Sequence, residues 1–408
     1  LVFLTEKGSF TKRTTTGTDV ISHGMGDTPK ILIFWTTAQT ATGFDAHVLY
    51  SLGFSDVTRH KAISGSSEDA QTSSDASRVF SATKCIVILT PDGVLEAEAD
   101  ISAVSSTNFT VNWTTNGGGA DIIHYMLFSG NDITVSEVGE FDAATTTGNQ
   151  VVPHTNSPAG GYDVYMFLTA TRTGTAIGNH LALGLGFATD AANEAALCVV
   201  SENGRTTTDT HRFQREDRSI VVIAENTGAI EAEAEFVSKR AEDFTVNWID
   251  APTGADRVAF MGIKGGQHKV GNFTEPGSTG LQGVITGFQP VGYLLASYCR
   301  DAQTTSQAIH KLSLGGSDAT VHGVLSTRDE DAVTTSSADT NESTDDVFRI
   351  IADTGDTIID AAEHNLMGSN SFQLDWTNIG STAEIFFWAF GSDIIPEFPT
   401  IINVSAMI

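Results

Sequence analysis

Segments of this chain recur at a spacing of about 130 residues. "GSFTKRTTTGTDVI" (8–21) aligns without a gap to "GEFDAATTTGNQVV" (139–152), sharing seven of fourteen residues. A third copy, "GNFTEPGSTG" (271–280), keeps Gly271, Phe273, Thr279 and Gly280 at the spacing of Gly8, Phe10, Thr16 and Gly17. Farther along, "SLGFSDVTRHKAIS" (51–64) matches "SLGGSDATVHGVLS" (313–326) in eight of fourteen positions, and "GVLEAEAD" (93–100) matches "GAIEAEAE" (228–235). The middle counterpart of the second pair, "LGLGFATDAANEAALCVVS" (183–201), is looser and carries a short insertion. A fourth landmark is the pentapeptide "FTVNW", at 109–113 and 244–248, with "FQLDW" at 372–376. Self-similarity at one period marks a repeat architecture. The expected units are 1–131, 132–266 and 267–392, with a C-terminal strand or arm over 393–408.

The pentapeptide also reports the local structure. Phe109, Val111 and Trp113 alternate with Thr110 and Asn112, and the same phase recurs at Phe244, Val246, Trp248 and at Phe372, Leu374, Trp376. Period two means a strand with one buried face, so the same core strand is expected once per unit. "KILIFWTT" (30–37), "CIVIL" (85–89), "YDVYMFLTA" (162–170), "SIVVIA" (219–224), "VGYLLASY" (291–298) and "EIFFWAFG" (384–391) are short, rich in β-branched and aromatic residues, and bounded by turn formers. Helical patterning is confined to "DAANEAALC" (190–198), which reads as a single turn or as more strand. The expected fold is all-β: three tandem antiparallel β-sandwich domains, jelly-roll or Ig-like, of seven to nine strands each, from an internal triplication. Such a triplication builds either an elongated rod or a compact pseudo-trimer.

Composition narrows the function. The formal charge of −28, from 50 acidic against 22 basic residues, disfavours a surface that neutralises nucleic-acid phosphate or anionic lipid. No apolar run reaches the ~20 residues of a membrane span. "LVFL" at the start is too short for the core of a secretion signal, and with no Met at position 1 the chain is read as following processing or an unseen stretch. Cys85, Cys198 and Cys299 have no metal-like spacing and read as buried free thiols.

Several residues invite chemistry. Glu96, Glu98 and Asp100 share one strand face, as do Glu231, Glu233 and Glu235. Such a row can hold a hard cation or do acid–base work, yet its repetition favours a solvated face whose charges discourage edge pairing. Acidic loops recur at Glu68 and Asp69, at Glu202, and at Asp329, Glu330 and Asp331, where a calcium site is conceivable without the D-x-D-x-D spacing. His60 and His322 occupy matching places, the middle copy offering Asn193 or Glu194, and His47 aligns with His180; strand-end structural roles are expected for them. G-x-S-x-G, a phosphate loop, H-E-x-x-H and a Cys–His arrangement are absent from the sequence, and "GGGAD" (117–121) reads as a turn. Asn-x-Ser/Thr occurs at Asn108, Asn112, Asn272, Asn341 and Asn403; Asn112 falls inside the core strand, whereas Asn341 lies in "SSADTNESTDD" (336–346), which reads as an exposed loop. No catalytic or cofactor-binding residue is assigned, no cofactor is expected, and a metal site is left open.

The order of a Gly-x-x-Pro turn before an apolar strand ("GDTPKILIFWTTAQT", 26–40; "GFQPVGYLLASYCRDAQT", 287–304), a Gly-Phe segment, an acidic loop and an F-x-x-x-W strand resembles virion structural proteins of tailed bacterial or archaeal viruses. The middle unit departs from it, since "GGYDVYMFLTATRTG" (160–174) lacks the Gly-x-x-Pro form. The resemblance implies a head-decoration, turret, tail or fibre protein. The expected function is thus a non-enzymatic component of the virion, an extracellular particle, acting through contacts with other virion proteins and copies of itself and in attachment to a host receptor or glycan, with neither nucleic acid nor membrane insertion. The alternatives are a cell-surface adhesin or carbohydrate-binding β-sandwich array, and a glycan-active enzyme of sandwich fold with two carboxylates facing one groove.

Overall fold

A computed structural model describes residues 2–300 and 305–393. The expected C-terminal arm therefore lies, beyond Asp393, outside the described residues. Those residues form antiparallel sheets and no helix, so the all-β expectation holds. "DAANEAALC" resolves as strand, Asn193–Ser201.

One strand order occurs three times. The first seven-stranded sheet runs Leu4–Thr11, Ile122–Ser129, Ile31–Thr36, Val48–Ser55, His60–Ser67, Ala76–Ser81 and Gly178–Asn179. Behind it stands a four-stranded sheet of Gly17–Ser22, Asn108–Asn116, Leu95–Val104 and Ile86–Leu89. The strand carrying FTVNW is interior to this smaller sheet. Its Phe109, Val111 and Trp113 are buried against Leu32 and Phe34 of the larger one, while Thr110 and Asn112 on the other face are partly exposed. The second and third sheet pairs repeat this order, with Trp248 and Trp376 in the corresponding cores.

The seven-stranded sheets are buried on both faces. Ile31–Thr36, Val164–Thr169 and Gly292–Ser297 have no exposed position, which is why their sequences are continuously apolar where FTVNW alternates. Their second faces meet in one common core, to which Trp35, Met126, Met166, Leu183, Leu314 and Trp388 contribute.

Each seven-stranded sheet is completed by a strand from elsewhere in the chain. Gly178–Asn179 adds to Ala76–Ser81, Gln307–Ala308 adds to Thr210–Arg215, and Gly43–Ala46 adds to Ala338–Ser343. The second stretch thus gives to the first, the third to the second, and the first to the third. The exchange is cyclic and closes on itself, which is the compact arrangement of the two considered and not the rod. After each exchanged strand comes one residue at positive φ, His47 (75°), His180 (67°) and Ile309 (69°), that turns the chain back into its own sheet. A residue with a Cβ in that region costs roughly 1–2 kcal/mol; its recurrence at all three exchange points ties the strain to the exchange.

Two local expectations are corrected. Among the described residues each stretch forms eleven strands, not seven to nine, because Ser- and Gly-rich strands such as His60–Ser67 lack the aromatic signal yet are paired on both sides. And 336–346 is not an exposed loop. Ala338–Ser343 is a buried strand, covered by Gly43–Ala46, in which Asn341 is 2% exposed and its Oδ1 accepts a hydrogen bond from Arg349 Nη1 at 2.7 Å.

Candidate functional site

The acidic loops, far apart in sequence, meet where the three sheet pairs join. Ser74 Oγ donates to the Glu202 carbonyl at 2.6 Å, Thr208 Oγ1 to that of Glu330 at 2.7 Å, and Ser336 Oγ to that of Glu68 at 2.7 Å. A second cycle runs beside it. The side chains of Asn203, Asp331 and Asp69 accept hydrogen bonds from the backbone N–H groups of Ala76, Thr210 and Ala338, at 2.8, 3.0 and 3.0 Å. His47 and His180 brace these loops, each accepting through Nδ1 from the N–H of Asp69 or Asn203. Fixing one sheet pair on the next is the role these oxygens have. Among the described residues no group of three or more His, Cys, Asp or Glu is placed to hold a metal ion.

At the same junction the ends of strands His60–Ser67, Asn193–Ser201 and His322–Asp329 bring Ser67, Ser201 and Asp329 to matching positions. Ser67 Oγ donates to Asp329 Oδ2 at 2.7 Å. Burial pushes the Asp329 carboxyl from 3.8 up to about 6, more than Ser67, Ser201 and Arg328 pull it down. The folded chain then holds this proton more tightly than the unfolded chain. Its contribution is complete below the unfolded value and is lost as pH rises toward 6, which amounts to about 3 kcal/mol. Asp329→Ser, the residue at both matching positions, is expected to remove that loss. Urea melts at pH 4 and pH 7 should show the variant gaining on the parent by up to about 3 kcal/mol; a constant difference between them would contradict the assignment.

The remaining candidates are engaged by neighbours. Asp100 pairs with Lys84 at 2.6 Å and accepts from Asn112 Nδ2, Glu98 accepts from Thr114 and Thr115, and Glu96 lies 4.0 Å from Lys12. In the second pair Glu233 is held by Arg215 and Arg218, Glu235 by Asn247 and Glu231 by Thr253. His60 and His322 each contact a serine hydroxyl, Ser55 or Ser317, at 2.9 Å, and that hydroxyl accepts the N–H of Val57 or Ala319 in a turn. Cys198 and Cys299 are buried thiols pushed up to about 12, and burial raises Cys85 as well.

One constellation had no sequence signal. At the seam between the first and third sheet pairs, Lys7, His124 and Glu342 are buried together. His124 Nε2 lies 2.5 Å from Glu342 Oε1, Lys7 Nζ lies 3.1 Å from His124 Nδ1, and Thr37 Oγ1 donates to Glu342 Oε2 at 2.7 Å. Lys7 Nζ also donates to the His322 carbonyl at 2.5 Å and its backbone N–H to Asp318. Burial lowers Lys7 to about 8 and lowers His124 too. At the matching seam between the first and second pairs, the strand registers place Val138, Ala259 and Phe80 there, all apolar and buried.

No protein-family model and no curated protein sequence matches the chain.

Two cavities face solvent near the junctions. One, of about 470 Å³, adjoins Cys299, Lys311 and Asp353, where Lys311 and Arg300 both engage the Asp353 carboxylate. The other, of about 390 Å³, opens between the second and third sheet pairs, and residues of both line it.

Proposed function

We propose that this chain is a non-enzymatic structural component of a virus particle, acting through subunit contacts on the outer head surface or tail and in host attachment. The observation that carries this reading is the cyclic strand exchange, which locks three outward-facing four-stranded sheets onto one common core. Such a block offers three fixed contact faces, and its charge of −28 keeps it soluble in a crowded assembly. The recurrent strand order supports an origin by internal triplication into three β-sandwich domains. The test is to separate particles from the source culture on a density gradient and quantify the chain across fractions by mass spectrometry. Many copies per particle are expected. Recovery with cell envelopes or as free protein would overturn the reading and leave the adhesin alternative. An array of equivalent carbohydrate sites, one per sandwich, is less well supported, because the residues of the 390 Å³ groove are not repeated at the other two seams.

A further inference from the structure

We propose that the groove between the second and third sheet pairs is a binding site for one neutral sugar residue, held by Glu216, Lys269 and Asn272 over an apolar floor of Phe273 and Ile285. The proposal is independent of where in a particle or cell the chain resides.

The groove is assembled from a hairpin end at Asn193 and Glu194, the residue Glu216 after strand Thr210–Arg215, and strands Gln267–Thr274 and Gly280–Ile285. Its volume of about 390 Å³ lies within the ~300–1,000 Å³ range of ligand sites. Its polar side chains are half-used. Lys269 Nζ donates to Asn193 Oδ1 at 2.6 Å, Asn272 Nδ2 donates to Glu216 Oε2 at 2.6 Å, and Glu194 Oε2 accepts the Phe236 N–H at 2.7 Å. The first two bonds leave capacity over: two protons on Lys269 and one oxygen on each of Asn272 and Glu216. Beside them Ile285 is 65% exposed, and at Gly283 a side chain would meet nothing within 4 Å, so the floor is open.

The charge balance selects the ligand. Glu194 is tied to the Phe236 N–H, so Lys269 and Glu216 are the charged side chains left to face a ligand, and they cancel. A polyanion meets the Glu216 carboxylate with a single lysine to receive it, and a hard cation finds too few anionic oxygens. Sugar hydroxyls, each donor and acceptor at once, match a mixed set of leftover donors and acceptors, and the C–H face of the ring matches the apolar floor.

The other seams show why the site is single. Strand register places His60 and His322 where Glu194 stands. Each is turned to its serine, Ser55 or Ser317, whereas Ala188 faces Glu194, whose buried carboxyl accepts the Phe236 N–H instead. At the first seam Arg59 and Glu137, which match Asn193 and Lys269, close on each other at 3.3 Å.

Saturation-transfer NMR and calorimetry on the full chain, with methyl glycosides of glucose, galactose, mannose and N-acetylglucosamine as probes, test this. Binding of at least one is expected, weakened about tenfold by Asn272→Ala or Glu216→Ala, the loss of roughly one hydrogen bond to a charged or amide group. Gly283→Phe, which fills open space and touches no buried group, should abolish it with an unchanged melting temperature. No binding to any of the four probes, binding insensitive to Gly283→Phe, or preference for sulfated over neutral glycosides would overturn the proposal.

Discussion

Glu342→Ala is expected to destabilise the fold by about 3–5 kcal/mol, the cost of leaving buried partners of an ion pair uncompensated. The substitution strips His124 Nε2 and Thr37 Oγ1 of their acceptor and leaves Lys7 buried beside them. Replacing the whole network has the opposite expectation. The chain itself supplies the apolar solution, since Val138, Ala170, Ala259 and Phe80 fill the matching places at the first seam. The quadruple variant K7V/T37A/H124A/E342F should therefore be as stable as the parent or more stable by about 1–4 kcal/mol, because desolvating charges offsets most of their attraction. Chemical denaturation of both variants decides this. A quadruple variant as unstable as Glu342→Ala would mean that the network contributes net stability and that the seams are not interchangeable.

A single stretch of the chain is expected to rebuild the closed ring from copies of itself. Residues 132–266 contain both an exchange strand, Gly178–Asn179, and the strand Thr210–Arg215 that receives one. They also hold both halves of the loop interlock: Asn203 and the Glu202 carbonyl as acceptors, Thr208 Oγ1 and the Thr210 N–H as donors. Within one copy these halves face different neighbours. Expressed alone, the fragment should assemble as a cyclic trimer, since a heterologous contact that closes makes a ring. Light scattering coupled to size exclusion should give three times the fragment mass at micromolar concentration. A folded monomer would show that each sheet pair is self-sufficient and the exchange incidental.

The sequence shows the ladder but not the lock. Phe109, Val111 and Trp113 announce a one-sided strand because one face of the outer sheet is wet, and the continuous run from Ile31 to Trp35 announces a strand buried on both faces. His60 and His322, expected at strand ends, each contact a serine hydroxyl there. Ala338–Ser343 was illegible because its polar side chains are satisfied by Arg328, Arg349 and an exchanged strand that begins nearly 300 residues earlier. The exchange strands themselves span two to four residues, too short for any periodicity. Lys7, His124 and Glu342 carry no repeat signal, since apolar residues stand at the matching places of the first seam. The groove was half visible. Glu194 breaks the histidine pattern in sequence, but Lys269 and Asn272 come to it and to Glu216 only across a seam.

The closure of the ring is tested most directly by a cross-link at its last junction. Asp45 and Thr340 are cross-strand partners where Gly43–Ala46 joins Ala338–Ser343, and antiparallel partners stand about 4.5–5.5 Å apart at Cα, within reach of a disulfide. The three native cysteines are buried and do not compete. Asp45→Cys/Thr340→Cys should oxidise within one chain, giving a single 45–340 linked peptide from a monomeric band on non-reducing gels. Free thiols under the same oxidation, or links formed only between chains, would contradict a ring closed by this strand.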